Sequence, residues 1–193
     1  MSDTRLTPAL VVDTAADLAD ELGLDAVTMT RVAEALGVRQ PALYRHVASH
    51  GELTRSLSLR ARYLLASRLA EAGVGQAGDD AVRAMAHAWR GFVQDHPGLY
   101  EATDRCPSVD DTELEAAIAR LVELLSKALD SYGLDQVTRV TIGNSLRSAI
   151  HGFCHLESNR EHPLAHDLDT SFDQLIDLLC AGISARFIER AKS

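Results

Sequence analysis

Residues 28–53, TMTRVAEALGVRQPALYRHVASHGEL, read as a helix, a glycine turn and a short second helix. Thr28 stands where its hydroxyl can accept a hydrogen bond from a free amide of the first turn. Val27 and Val32 have the spacing of a hydrophobic staple across that cap. Val32, Ala33 and Leu36 form the inward stripe, with Ala33 small enough for a close helix crossing. Gly37 follows the last apolar residue and suits the left-handed conformation that closes a helix. Val38 fills the corner. Pro41 lacks an amide hydrogen and fits the first turn of the next helix, whose Leu43 and Val47, four apart, face inward. Gln40, Ala42, Tyr44, Arg45 and His46 are left on or near the outer side. This is the layout of a helix-turn-helix, in which a short second helix is offered to the DNA major groove.

The run Gly37-Val38-Arg39-Gln40-Pro41-Ala42-Leu43-Tyr44-Arg45-His46-Val47 resembles the DNA-binding domain of the TetR family of bacterial repressors, and the likeness covers roughly residues 5–60. It implies DNA contacts along the whole head. The Gln40 amide matches both major-groove atoms of adenine, a contact worth about 1–3 kcal/mol in discrimination. Pro41 and Ala42 suit thymine methyls. Arg39 and Arg45 reach guanine or phosphate, and Thr28 and Arg31 add contacts from the first helix. Tyr44 and His46 match family positions that hold the phosphate backbone. His50 stands where the family usually has a phosphate-binding lysine. Histidine is mostly neutral at pH 7, so this contact is expected to be weaker or pH-dependent. Two plainer readings stay open at this level: solvated surface side chains, or a protein-docking module.

Bulk properties bound the rest. The chain has 193 residues, 46 % of them hydrophobic, which is enough for a real core. No apolar run approaches the ~20 residues of a membrane span, and the N-terminus lacks the basic-then-apolar order of a signal peptide. Cys106, Cys154 and Cys180 are isolated and form neither a disulfide framework nor a zinc spacing. A cytoplasmic protein without a cofactor is expected. The net charge of −9 argues against a histone-like coating protein. It leaves room for an operator-specific one, because phosphate contact needs only local positive charge and an acidic remainder suppresses non-specific binding. Arg5, Arg31, Arg39 and Arg45 supply that local charge.

Periodicity and punctuation predict helices and no strands. Expected spans are 8–22 (capped by Thr7, ended by Gly23), the two helices above, and a fourth from Ser49, with Glu52 completing a capping box, to about 72. Glycine-rich 73–78 breaks the chain. Further helices follow over 79–96, 99–103, 111–132, 135–157 and 170–191, with Pro97-Gly98 as an interruption and polar loops over 104–110 and 158–169. The predicted fold is all-α: an N-terminal three-helix bundle over 1–53 and a C-terminal six-helix bundle over 54–193 for ligand binding and dimerisation.

The second half carries its own resemblance. Residues 89–100 (WRGFVQDHPGLY) and 148–153 (SAIHGF) are similar to a TetR subgroup named for a Trp-His-Gly motif, with Arg147 at the tryptophan position. The arginine hints at a polar or anionic ligand. Met85, Trp89, Phe92, His96, Tyr100, Arg147, His151, Phe153 and His155 are candidates for lining a small-molecule cavity. His151 and His155 share a helix face, so metal, a packed imidazole and a pocket wall all remain open, though no third ligand is evident and no metal is expected. Cys154 and His155 are sequence neighbours about 100° apart on a helix, a poor geometry for mutual activation. Leu146 and Ile150, with Phe172, Leu175, Ile176, Leu179, Ile183 and Phe187, form apolar stripes that the resemblance assigns to a homodimer interface.

The family likeness implies a repressor that binds a palindromic operator as a dimer and is released by a small-molecule effector. Two rivals belong to other classes: a small helical enzyme using His and Cys residues of the C-terminal bundle, and a ligand-independent DNA-binding protein. The complete reading head, for which an enzyme has no use, argues for the regulator.

Overall fold

The computed structural model describes residues 5–106, 108–159 and 167–190, with side chains as far as 185. All regular structure among these residues is helical: α1 (Pro8–Leu22), a 3-10 turn (Leu24–Ala26), α2 (Met29–Ala35), α3 (Gln40–Leu43), α4 (His50–Ala72), α5 (Gly78–Asp95), α6 (Pro97–Arg105), α7 (Thr112–Ala128), a second 3-10 turn (Asp130–Tyr132), α8 (Gln136–Ser158) and α9 (Leu168–Arg190). No described helix is long and apolar enough to cross a membrane.

The predicted caps are in place. The Thr7 hydroxyl accepts from the Leu10 amide at 3.1 Å, Thr28 from Arg31 at 3.2 Å and Ser49 from Glu52 at 3.1 Å. Asp135 opens α8 by accepting from the Thr138 amide at 2.9 Å. The boundaries differ where tertiary contacts decide. Pro97, expected to interrupt, starts α6 instead, because a proline loses nothing at a position whose amide has no helical partner. The helix expected over 111–132 ends at Ala128 and gives way to the 3-10 turn, closed by Gly133 at φ 63°. α3 is a single turn.

The chain forms two compact units. One compact unit is Met1–Tyr63 with Asp95–Ala117, and the other is Leu64–Gln94 with Ile118–Ser193. In the first unit α6 is held on α1. Asp20 is the hub: its carboxylate accepts from the Leu99 amide at 2.7 Å and from His96 Nδ1 at 2.8 Å, capping α6 from outside. Gly98 lies so close to α1 that a Cβ would sit 1.8 Å from the Ala19 carbonyl oxygen. Arg62, buried on α4, donates to the Thr103 carbonyl at 3.0 Å. Arg55 donates to both Asp111 oxygens at 2.5 and 2.9 Å. That guanidinium holds the Asp111 carboxyl down at about 2.

In the second unit α5 turns Val82, Met85, Ala86, Trp89 and Phe92 inward. Leu125 of α7, Leu146 and Ile150 of α8, and Phe172 and Ile176 of α9 are buried in the same unit. Arg90 interrupts the apolar face of α5 and is itself 6 % exposed. Its Nε and NH2 donate to Glu157 at 2.9 and 2.7 Å, its NH1 pairs with Asp169 at 2.8 Å, and its guanidinium lies 5.7 and 5.1 Å from the ring centroids of Phe153 and Phe172. These hydrogen bonds, led by Glu157, raise the guanidinium further above its ordinary range. His87 pairs with Asp173 at 3.0 Å and Arg83 with Asp177, so three basic positions of α5 meet three carboxylates of α9.

Candidate nucleic-acid interface

The reading head takes its form from the turn. Gly37 adopts φ 66°, and the Val38 amide reaches back to the Ala33 carbonyl at 2.9 Å, which closes α2. Val32, Ala33, Leu43 and Val47 are buried and fix α3 against α2. Arg31, Arg39, Pro41, Tyr44 and Arg45 are exposed, and Gln40, Ala42 and His46 are half-buried. Thr28 is exposed, but its hydroxyl is engaged as the α2 cap. Arg31 turns back, its NH1 donating to the Ala26 carbonyl at 3.3 Å.

Charge separates the head from the rest of its unit. Arg55 is paired with Asp111 and Glu113, Arg60 with Asp13, and Arg105 with Asp25 and Glu101. Arg39 and Arg45 make no ion pair among the described residues. An acidic chain that leaves these two cations exposed and unneutralised at either end of the α3 segment offers them to an external anion.

His50 departs from the expected phosphate role. Its Nε2 lies 2.8 Å from the Val27 carbonyl. A carbonyl only accepts, so Nε2 donates to it, and that N–H is not offered to a phosphate. The ring braces the start of α4 against the strap before α2. His50→Lys is therefore expected to add a phosphate contact. In a salt titration of duplex binding the slope of log K against log salt should steepen by about 0.9 per reading head; an unchanged slope would contradict this placement.

Thr30 was missed by sequence reasoning. Its hydroxyl lies 3.5 Å from Gln40 Oε1, and Gln40 Nε2 lies 3.3 Å from the Tyr44 hydroxyl. The signal was available only as a polar residue on the outer face of α2, one of several.

The ligand candidates fall in different places. Met85, Trp89 and Phe92 are buried on the inner face of α5; Arg147, His151 and Phe153 are half-buried on α8, and His155 is exposed. Tyr100 is buried in the first unit, and His96 is the partner of Asp20 there, an anchor of α6. The His151 and His155 ring centroids are 6.1 Å apart, and Asn159 donates to His155 Nε2 at 3.0 Å, which occupies that lone pair. Among the described residues no group of three or more His, Cys, Asp or Glu is arranged to hold a metal.

Burial pushes the Cys154 thiol up to about 12 and the Cys180 thiol to about 11, the opposite of an activated nucleophile. From the ordinary value of 9, the Cys154 rise cuts its thiolate fraction about a thousandfold. Iodoacetamide at pH 8 is expected to label only Cys106 in the native protein, read by peptide mass spectrometry. Labelling of Cys154 at a comparable rate would contradict its burial.

The dimer stripe needs correction. Leu146, Ile150, Phe172 and Ile176 are at most 1 % exposed and Ile183 is 5 % exposed in the single chain. Within the protomer they are packed in the core, although Leu146 and Ile183 also line an open groove between α8 and α9; periodicity groups residues on a face without saying what covers it. Leu175 and Leu179 are half-buried. The side chain of Phe187 lies outside the described residues. Among the described residues, the outward large apolar side chains are Val137, Val140 and Leu156 on α8 and Leu178 on α9. A groove beside Leu178 is lined by Thr141, Ser145, Leu179 and Gly182.

Comparison with known proteins agrees with this geometry. Residues 11–57 match the family described as bacterial regulatory proteins, tetR family. Residues 82–179 match the family described as tetracyclin repressor-like, C-terminal domain, and both 89–100 and 148–153 fall inside that match. The uncharacterized HTH-type transcriptional regulator Rv0681 of Mycobacterium tuberculosis is 35 % identical over 185 residues, 94 % of this chain and 84 % of that protein. The uncharacterized HTH-type transcriptional regulator YobS of Bacillus subtilis is 29 % identical over 179 residues, 92 % of this chain and 93 % of that protein. The crystal structure of BioQ with its double-stranded DNA operator has a TM-score of 0.66 at 23 % identity, covering 92 % of this chain and 99 % of that one, and at this identity speaks for the fold. The chain belongs to the TetR family of bacterial transcription regulators; it is a DNA-binding regulator and not an enzyme.

Proposed function

We propose that the protein is a dimeric repressor that grips a near-palindromic operator with two copies of its reading head and is released by a small molecule bound in its C-terminal half. The observation that carries the DNA side is the exposed pair Arg39 and Arg45, unneutralised and flanking Gln40-Pro41-Ala42 at the start of α3. Thr28, Arg31, Tyr44 and His46 complete the contact set, with His50 as a brace. BioQ was crystallised on a double-stranded operator, which supports a duplex as the target.

One short helix reads few base pairs, and pairing two heads about 34 Å apart is the usual remedy. The outward residues of α8 and α9, Val137, Thr141, Ser145 and Leu178, with half-buried Leu175 and Leu179, are the surface offered to a second copy. For the effector, Arg147, His151 and Phe153 supply mixed polar and aromatic contacts on α8, where the Phe153 ring lies 5.7 Å from the Arg90 guanidinium of α5. Release requires the effector to favour the non-binding pose; going from mostly bound to mostly free takes about 5.5 kcal/mol of differential affinity. α4 is one continuous helix whose residues 50–63 belong to the first unit and 64–72 to the second, and it is the element assigned to carry that change.

The experiment is duplex binding by the full chain, using DNA from its own gene's upstream region, before and after adding a broad panel of metabolites. Binding abolished by Arg39→Ala with Arg45→Ala, and weakened by at least one metabolite, is the expected pattern. Binding that no metabolite alters would remove the effector from the proposal, and binding indifferent to both arginines would remove the reading head.

A further inference from the structure

We infer that Thr30 is a positioning residue for base recognition: with Tyr44 it clamps the Gln40 amide in the one orientation that fits adenine. The inference rests on the reading of Gln40 as a base contact and assigns a new role to its neighbours.

Thr30 lies in the first turn of α2 and Gln40 opens α3, ten residues later across the glycine turn. Their side chains meet on the exposed surface. The Thr30 hydroxyl donates to Gln40 Oε1 at 3.5 Å, and Gln40 Nε2 donates to the Tyr44 hydroxyl oxygen at 3.3 Å. Gln40 and Tyr44 are four apart, the spacing that makes helix neighbours. The three groups form a directional relay from hydroxyl to amide oxygen, and from amide N–H to phenol oxygen.

The direction of the relay has a physical cause. The reverse arrangement would have Tyr44 spend its only proton on the amide oxygen. A phosphate oxygen only accepts, so a Tyr44 that holds the DNA backbone must keep its proton for the phosphate and accept from Gln40. The backbone contact thereby sets which end of the amide faces which neighbour. With the oxygen beside Thr30 and the nitrogen beside Tyr44, each amide end retains one unused function: a lone pair on Oε1 and one N–H on Nε2. Adenine presents a donor at N6 and an acceptor at N7, which match this pair. Guanine presents two acceptors, N7 and O6, and leaves Oε1 facing a lone pair. A free glutamine could swap its ends at little cost. A clamped one cannot, and the difference appears as specificity more than as affinity.

The test uses the full chain and a randomised duplex library, with the bound fraction sequenced. Affinity is then measured for the most enriched duplex and for its single-base variants over a range of salt. Wild type is expected to prefer adenine at one position of each half-site, and Gln40→Ala to abolish that preference. Thr30→Val keeps the shape and removes the hydroxyl; it is expected to cut the adenine-over-guanine ratio about tenfold, inside the range of one bidentate base contact, with an unchanged salt slope. Thr30→Ser restores the hydroxyl and should restore the ratio. Tyr44→Phe, at the other end of the relay, should lower the ratio and also weaken every duplex, with the salt slope unchanged because the hydroxyl carries no charge. The relay is overturned if Thr30→Val keeps the wild-type ratio, if it weakens all duplexes equally, or if Thr30→Ser behaves like Thr30→Val. Should Gln40→Ala leave the adenine preference intact, the reading of Gln40 as a base contact falls and the relay with it. That outcome is distinct from a Gln40 that matters while Thr30 does not.

Discussion

Gly98→Ala is expected to destabilise the protein by about 3 kcal/mol and to lower its thermal midpoint by about 10 °C. The added methyl would sit 1.8 Å from the Ala19 carbonyl oxygen and 2.3 Å from its carbon, both backbone atoms in the middle of a packed unit. A side chain could swing away from such a clash; a helix backbone cannot without losing the contacts around it. Moving α6 off α1 would also strain the two hydrogen bonds that Asp20 makes to Leu99 and His96. Gly51→Ala is the control, since its Cβ would make only ordinary contact with Ser49 at 3.7 Å, and alanine is the better helix former. Differential scanning calorimetry of both variants decides the matter. Equal midpoints for the two would show that α6 is not seated on α1 as described.

Arg90→Ala should cost about 3–5 kcal/mol, the range for breaking one side of a buried ion pair. Glu157 loses its bidentate partner while its side chain is only 15 % exposed, and Phe153 and Phe172 lose the guanidinium that lies near both rings. Much of the loss reflects the stranded carboxylate. The double variant Arg90→Met, Glu157→Leu removes both charges and is expected to recover most of the stability. Urea denaturation of the single and double variants separates the two contributions. A single variant as stable as wild type would mean that Arg90 is solvated and its pairing incidental.

The reading head was legible because its signals are local. Caps, the left-handed glycine and a proline at a helix start act within a few residues, and Thr28, Gly37 and Pro41 each fall where that logic put them. The ion-pair ladder was not read. Arg83, His87 and Arg90 share one helical face, and so do Asp169, Asp173 and Asp177, so both halves were visible. Nothing in the sequence said that α5 would meet α9 some 79 to 94 positions away. Asp20 escaped notice for the same reason, since a carboxylate on α1 gives no hint that it will cap α6. The stripe on α8 and α9 was legible only in part, for a different reason. The spacing of Leu146, Ile150, Phe172 and Ile176 correctly marked an apolar face, but burial by the protomer and burial by a partner leave the same period in the sequence.

The central claim is that two copies of one head read a repeated DNA sequence. Sequencing the duplexes that the full chain retains from a random library tests it most directly. An inverted repeat whose half-site centres lie about 34 Å, or roughly 10 base pairs, apart is the expected result, with enrichment lost in Arg45→Ala. Retained duplexes that share no repeat, or enrichment that persists without Arg45, would contradict it.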